Sequence, residues 1–239
     1  MITSSPNEVE QAATAALRVP MTNVTRFVRQ LSHDLRNHLN AAELQSAYVT
    51  EIASDGEVKA ELQRLRGMLS EMGRSLQRVS AALTPLKLTR MPYEAAALVE
   101  DLRQKFTSQM PEESASVRWS VNCGSAQLDV DPQLLQQALL ELLTNAFQHG
   151  RGVGPIEITA ETEDNSFVFR LREPKAAFEA STTNWGHEPF SAVGHEHYGL
   201  GLHRATSIIE AHEGRLSARY DSASSSLVTT VALPILPPA

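Results

Sequence analysis

Ser32-His33-Asp34-Leu35-Arg36-Asn37-His38-Leu39-Asn40 decides how this chain is read. The stretch lies inside a long helical pattern. Val24, Leu31, His38, Gln45 and Ile52 recur at heptad spacing, and Val28, Leu35, Ala42 and Val49 fill the other seam position. His33 falls off that seam, and Asp34 sits at its edge. An apolar stripe on one side and an outward imidazole beside a carboxylate on another equip a helix to accept and pass on a phosphoryl group. The imidazole is the nucleophile, and the carboxylate orients it or takes its proton. Alone, such a pair is ordinary polar helix surface. The rest of the chain gives it weight.

Working outward, Ser54-Asp55-Gly56-Glu57 is turn chemistry. Beyond it Val58, Leu65, Met72, Val79 and Leu86 form one seam line, and Leu62, Leu69, Leu76 and Leu83 the other. The pattern predicts one helix over residues 21–53 and a second ending near 86, joined as an antiparallel hairpin. The apolar stripes are too wide for one partner helix. Two hairpins are therefore expected to pair as a four-helix bundle, which makes the protein a homodimer. Polar His38 and Gln45 on the seam read as register-setting residues.

Pro85 and Pro92 bracket a change of pattern. The expected domains are a tail over 1–20, the hairpin over 21–88 and a second domain over 89–239. In that domain the sequence predicts a helix at 94–105, strands at 117–122 and 126–130, and a helix opened by Asp131-Pro132, a cap followed by proline. Strands at 156–162 and 167–172 follow, turning at Glu163-Asp164-Asn165. An irregular stretch over 173–198 leads to a helix at 199–212 and two last strands at 215–220 and 227–233. The fold class is α+β, a helical hairpin followed by an α/β sandwich with helices on one side of a mixed sheet.

Composition narrows the function. The chain has 239 residues and a net charge of −7, which speaks against a nucleic-acid partner. One cysteine, Cys123, excludes an internal disulfide framework and reads as a small buried strand residue. No apolar run approaches the ~20 residues that span a bilayer, so no membrane insertion is expected. The first residues lack a secretory pattern, and the expected location is cytoplasmic.

Two constellations in the second domain carry chemistry. Glu141 and Asn145 lie one helical turn apart on one face, where an amide oxygen and a carboxylate can hold a hard cation such as Mg²⁺ against phosphates. Gly199-Leu200-Gly201-Leu202 leads straight into a helix. Its glycines let backbone approach phosphate oxygens, and the helix start offers N–H groups.

With these motifs in hand, the chain resembles the catalytic core of two-component sensor histidine kinases from about Val24 to Pro234. Ser32-His33-Asp34-Leu35-Arg36-Asn37 looks like the phosphoacceptor motif. Leu142-Leu143-Thr144-Asn145-Ala146-Phe147-Gln148-His149 looks like the asparagine box, and Glu188-Pro189-Phe190 is similar to the phenylalanine box of the ATP lid. Gly199-Leu200-Gly201-Leu202, with Ala211-His212-Glu213-Gly214 after the helix, looks like the second glycine box.

The resemblance implies ATP and Mg²⁺ as cofactors, with Mg²⁺ held by Asn145 and Glu141. It implies phosphorylation of His33 assisted by Asp34, and transfer to an aspartate of a response-regulator receiver domain. Asn37 matches the position that orients water for dephosphorylation. One departure stands out. The first glycine box, whose acid reads the adenine amino group, corresponds to Leu171-Arg172-Glu173-Pro174-Lys175-Ala176-Ala177-Phe178, where Glu173 replaces the acid and both glycines are missing. Tyr198 stands where the family has a small residue. The lid histidines His187, His195 and His197 read as polar loop residues. The departure keeps a second expectation open: a histidine phosphotransferase relaying phosphate between receiver domains without ATP.

Overall fold

The structure, a computed structural model, describes residues 21–148, 151–178, 181–183, 185–187 and 199–237. The expected tail over 1–20 lies outside these, as do His149, Glu188-Pro189-Phe190, His195, His197 and Tyr198. The chain divides into two compact units, Met1–Leu83 and Thr84–Ala239.

The first unit is the helical hairpin. Helix α1 (Met21–Ile52) and helix α2 (Gly56–Leu83) pack along each other. They are parted where Asp55 Oδ1 accepts the Glu57 N–H at 2.8 Å, an Asx-type turn that opens α2. The face joining the two helices differs from the heptad reading by one residue. Val24, Leu31, His38, Gln45 and Ile52 are all exposed on the single hairpin. The protected line of α1 is Thr25, Ser32, Leu39, Ser46 and Ala53 at its end, with Ser32 and Ser46 buried. In α2 the expected Leu62, Leu69 and Leu76 do face inward, and Arg66 and Gly73 replace Leu65 and Met72 beside them. Two hydrophobic directions share each helix, and periodicity does not say which of them the chain's own partner helix takes.

The second unit is a two-layer α/β sandwich. Strand β1 (Met91–Glu94) opens it, followed by helix α3 (Ala95–Gln109), a single turn α4 (Pro111–Ser114), and strands β2 (Val117–Asn122) and β3 (Gln127–Val130). Helix α5 (Pro132–Gln148) leads to β4 (Ile156–Glu163) and β5 (Ser166–Pro174). Helix α6 (Leu200–Ala211) precedes β6 (Arg215–Asp221) and β7 (Ser226–Pro234). A five-stranded sheet runs β2-β4-β5-β7-β6, and β1 pairs with β3 in a separate antiparallel ribbon. Only β2 and β4 pair in parallel; the other neighbours are antiparallel. Asp164 and Asn165, both at positive φ, make the tight β4–β5 turn.

Alternation places the core. Phe167, Phe169 and Leu171 of β5 and Ile156, Ile158 and Ala160 of β4 point to one face. Helices α3, α5 and α6 cover it with Leu98, Leu102, Phe106, Leu135, Leu139, Leu143, Ile208 and Ile209. Each of these large side chains contributes roughly 1.5–3 kcal/mol on burial. Cys123 is buried in the turn just past β2 rather than within a strand. No helix among the described residues is long and apolar enough to cross a membrane.

Candidate functional site

His33 stands on the open side of α1, its side chain 66% exposed. Its Nδ1 lies 3.3 Å from Asp34 Oδ1 and 3.4 Å from Asn37 Nδ2. These contacts ask for opposite states of one nitrogen. A proton on Nδ1 donates to the carboxylate and leaves the Nε2 lone pair free. A bare Nδ1 accepts from the Asn37 amide and moves the proton to Nε2. Gln30, one turn earlier, donates its amide N–H to the same Asp34 Oδ1 at 2.8 Å. Sequence reading missed Gln30, although its place four residues before Asp34 puts it on the same face.

In the second unit, Glu141 and Asn145 come out half-buried on one face of α5. The glycine stretch meets this face. A Cβ at Gly201 would collide with Glu141 Oε1, so the carboxylate holds this position against α6 only while residue 201 is glycine. Gly199 is the N-cap of α6 in the left-handed region, φ 63°, and among the described residues no side chain caps the helix start. The N–H groups of the first turn of an α-helix have no partner within the helix and can receive an anion. Leu200 is buried, and Leu202 packs on the core, which anchors the helix end. A hard cation and phosphate oxygens fit this donor set: oxygen ligands from α5, and backbone N–H groups from α6. Among the described residues no cluster of three His, Cys, Asp or Glu side chains offers another metal site. His187 instead faces Glu210 at 3.5 Å, and His203 Nδ1 meets the Gly186 carbonyl at 3.0 Å, laying this piece of the loop on α6.

Glu173 ends the inward row Phe167, Phe169, Leu171 of β5 and is 4% exposed. It is not bare. Lys175, 8% exposed, donates from Nζ to Glu173 Oε1 at 2.7 Å. Burial pushes the Glu173 carboxyl above the usual range, against the lowering effect of the lysine. The ammonium also lies 5.6 Å from the centre of the Phe178 ring, which contacts Trp185 and Tyr220. Tyr220 donates its hydroxyl to the carbonyls of Lys175 and Ala176, both at 3.1 Å. Sequence reading missed this lysine. The signal was a Glu-x-Lys spacing, which places two side chains on one side of an extended segment.

His212, matched above only by position, proves structural. It is 1% exposed, donates Nδ1–H to the Ile208 carbonyl at 2.7 Å and accepts the Asp131 N–H on Nε2 at 2.9 Å. The end of α6 is closed by Glu213 N–H to the Glu210 carbonyl and Gly214 N–H to the Ile209 carbonyl, a Schellman cap. Asp131 in turn accepts the N–H groups of Thr89 and Leu134, at 2.9 and 3.0 Å, and caps α5.

Comparisons agree with this anatomy. The family described as histidine kinase-, DNA gyrase B- and HSP90-like ATPase matches residues 130–237. The sensor protein kinase PilS of Pseudomonas aeruginosa is 21% identical over 220 residues, 89% of this chain and 41% of that protein. The sensor histidine kinase ZraS of Escherichia coli K12 is 25% identical over 189 residues, 78% of this chain and 40% of that protein. The chain thus spans about two fifths of the length of these curated relatives. Full-length ShkA, whose crystal structure is in complex with AMPPNP, shares the fold with a TM-score of 0.73 and 18% identity, over 90% of this chain and 46% of that one. Residues 130–237 thus form a domain of this histidine kinase-, DNA gyrase B- and HSP90-like ATPase type, and over most of its length the chain is similar to sensor histidine kinases.

Proposed function

We propose that this chain acts in two-component signalling as a homodimeric, ATP-dependent protein histidine kinase that phosphorylates His33 and passes the phosphoryl group to an aspartate of a response-regulator receiver domain. The observation that carries the reading is the Glu141 carboxylate lying against Gly201 at the glycine-led start of α6. That is a phosphate-and-cation arrangement, in the same chain as an exposed nucleophile. ATP with Mg²⁺ supplies a phosphoryl group whose negative charge the cation neutralises. Asn145 and Glu141 hold the cation by oxygen donors, and the first-turn N–H groups of α6 receive phosphate oxygens. Asp34 accepts the proton of His33 Nδ1, which leaves Nε2 as the attacking atom. Gln30 holds the Asp34 oxygen in place. Asn37, at the same nitrogen, is placed to orient water when phosphate is removed from the regulator. Positioning and charge neutralisation supply most of the rate.

The test is incubation of the purified full chain with Mg²⁺ and γ-labelled ATP, followed by assay for acid-labile, base-stable label. Label on the wild type that disappears in His33→Ala and in Asn145→Ala supports the kinase. Unchanged label in Asn145→Ala would remove the cation role from that residue.

One observation favours a second reading, a histidine phosphotransferase. The Glu173 oxygen that would read a base is held by Lys175 at 2.7 Å. In that case ATP gives no label, while a phosphorylated receiver domain still labels His33.

A further inference from the structure

Glu173 lies on the helix-covered face of the sheet, at the end of β5 and beside the α5–β4 connection. The backbone there is tied to that connection: Gly152 N–H donates to the Pro174 carbonyl at 2.7 Å. In the nucleotide-site reading above, on which this inference rests, this carboxylate stands where the base edge is read. A lone carboxylate offers acceptors only, so it selects a base edge that presents a donor, the 6-amino group of adenine.

The edge-reader of this chain has a second charge. Both members of the Glu173–Lys175 pair are more than nine-tenths buried, and the lysine is fixed along its length. Its N–H donates to the Ser225 carbonyl at 2.8 Å, its own carbonyl accepts from Tyr220, and its ammonium faces the Phe178 ring. A neutral exocyclic amine is a weaker partner for a buried carboxylate than an ammonium already at hydrogen-bond distance. An arriving base therefore meets the pair rather than the carboxylate alone. An ammonium carries three N–H donors, and Glu173 takes one. The pair presents donor and acceptor side by side. That suits the 6-oxo, 1-N–H edge of guanine or hypoxanthine as well as it suits adenine.

We propose that Lys175 is a specificity-determining residue of the nucleotide site: with its ammonium fixed on Glu173, the site takes 6-oxopurine nucleoside triphosphates alongside ATP.

The experiment is calorimetric titration of the full chain, in Mg²⁺, with ATP, GTP and ITP. The expected wild-type result is GTP and ITP binding within about threefold of ATP, since a site that satisfies either edge loses its means of rejecting one. Lys175→Met then weakens GTP and ITP by ~10-fold or more relative to ATP, and Lys175→Arg, which keeps the cation, stays closer to wild type. A wild-type preference for ATP beyond ~30-fold overturns the proposal without any variant. So does an unchanged GTP-to-ATP ratio in a Lys175→Met protein that melts cooperatively. Failure to bind any of the three overturns this proposal together with the nucleotide-site reading. A strict ATP preference overturns this proposal alone.

Discussion

At the scale of single residues, a few shared atoms do most of the organising. His33 Nδ1 has two neighbours that require different protonation, and the choice between them decides which ring nitrogen keeps its lone pair. His33, Asp34 and Asn37 were legible in the sequence because helix spacing alone puts them together. Lys175 was not, because its Glu-x-Lys spacing does not say that both charges are buried at a strand end. His212 was legible only as part of a resemblance; its work is to satisfy the Asp131 N–H and the Ile208 carbonyl in a dry place. His212→Ala leaves the Asp131 N–H without its imidazole acceptor, while the Ile208 carbonyl keeps the backbone N–H of residue 212. It is expected to lower unfolding stability by roughly 1–3 kcal/mol in urea titrations. Phosphate uptake on His33 from a phosphorylated receiver domain should persist in the same protein below its melting range.

At the scale of elements, α5 and α6 were the most readable parts. Asp131-Pro132 announces a helix start, and the apolar residues behind it repeat at helical spacing. Strand β1 was missed because Met-Pro-Tyr-Glu has no alternation, and its pairing with β3 is a long-range fact. The cap of α5 has a pH signature. Burial alone would raise the Asp131 carboxyl, but hydrogen bonds from the backbone of Thr89, Leu134 and Gln133 outweigh it and hold the group below its ordinary value. A carboxylate depressed in the folded state stabilises above its unfolded pKa, and that contribution is lost as pH falls through the folded value. The stability gap between wild type and Asp131→Asn is therefore expected to be full at pH 7. It should narrow as pH drops below about 4, in denaturation curves taken across that range.

At the scale of the whole molecule, the hairpin leaves Val24, Phe27, Leu31, Tyr48, Ile52, Leu65, Met68 and Met72 exposed. Such a continuous apolar face calls for a cover, and the proposed homodimer supplies it with a second hairpin. Light scattering should find the wild-type chain at twice the monomer mass. A Leu31→Glu, Met72→Glu protein should run as a monomer, because four charges would then enter one interface. The heptad pattern revealed that both helices were seam-bearing, but one sequence carried two seams, and only packing assigned the inner one.

The inner seam has a further meaning. Thr25, Ser32, Ser46, Ala53 and Gly73 bring little apolar surface to the contact between α1 and α2. Leu39, Leu62, Leu69 and Leu76 supply most of what is there, while Phe27, Leu31, Leu65, Met68 and Met72 face the other direction. The hairpin is thus poorly provided to persist alone, whereas the sandwich carries its own dense core. In a refolding chain the two halves would mature on different clocks. The sandwich would close first, at a rate indifferent to how many molecules are present, and the platform for His33 would take shape on meeting its twin. Dilution would then silence the nucleophile before it touched the nucleotide site.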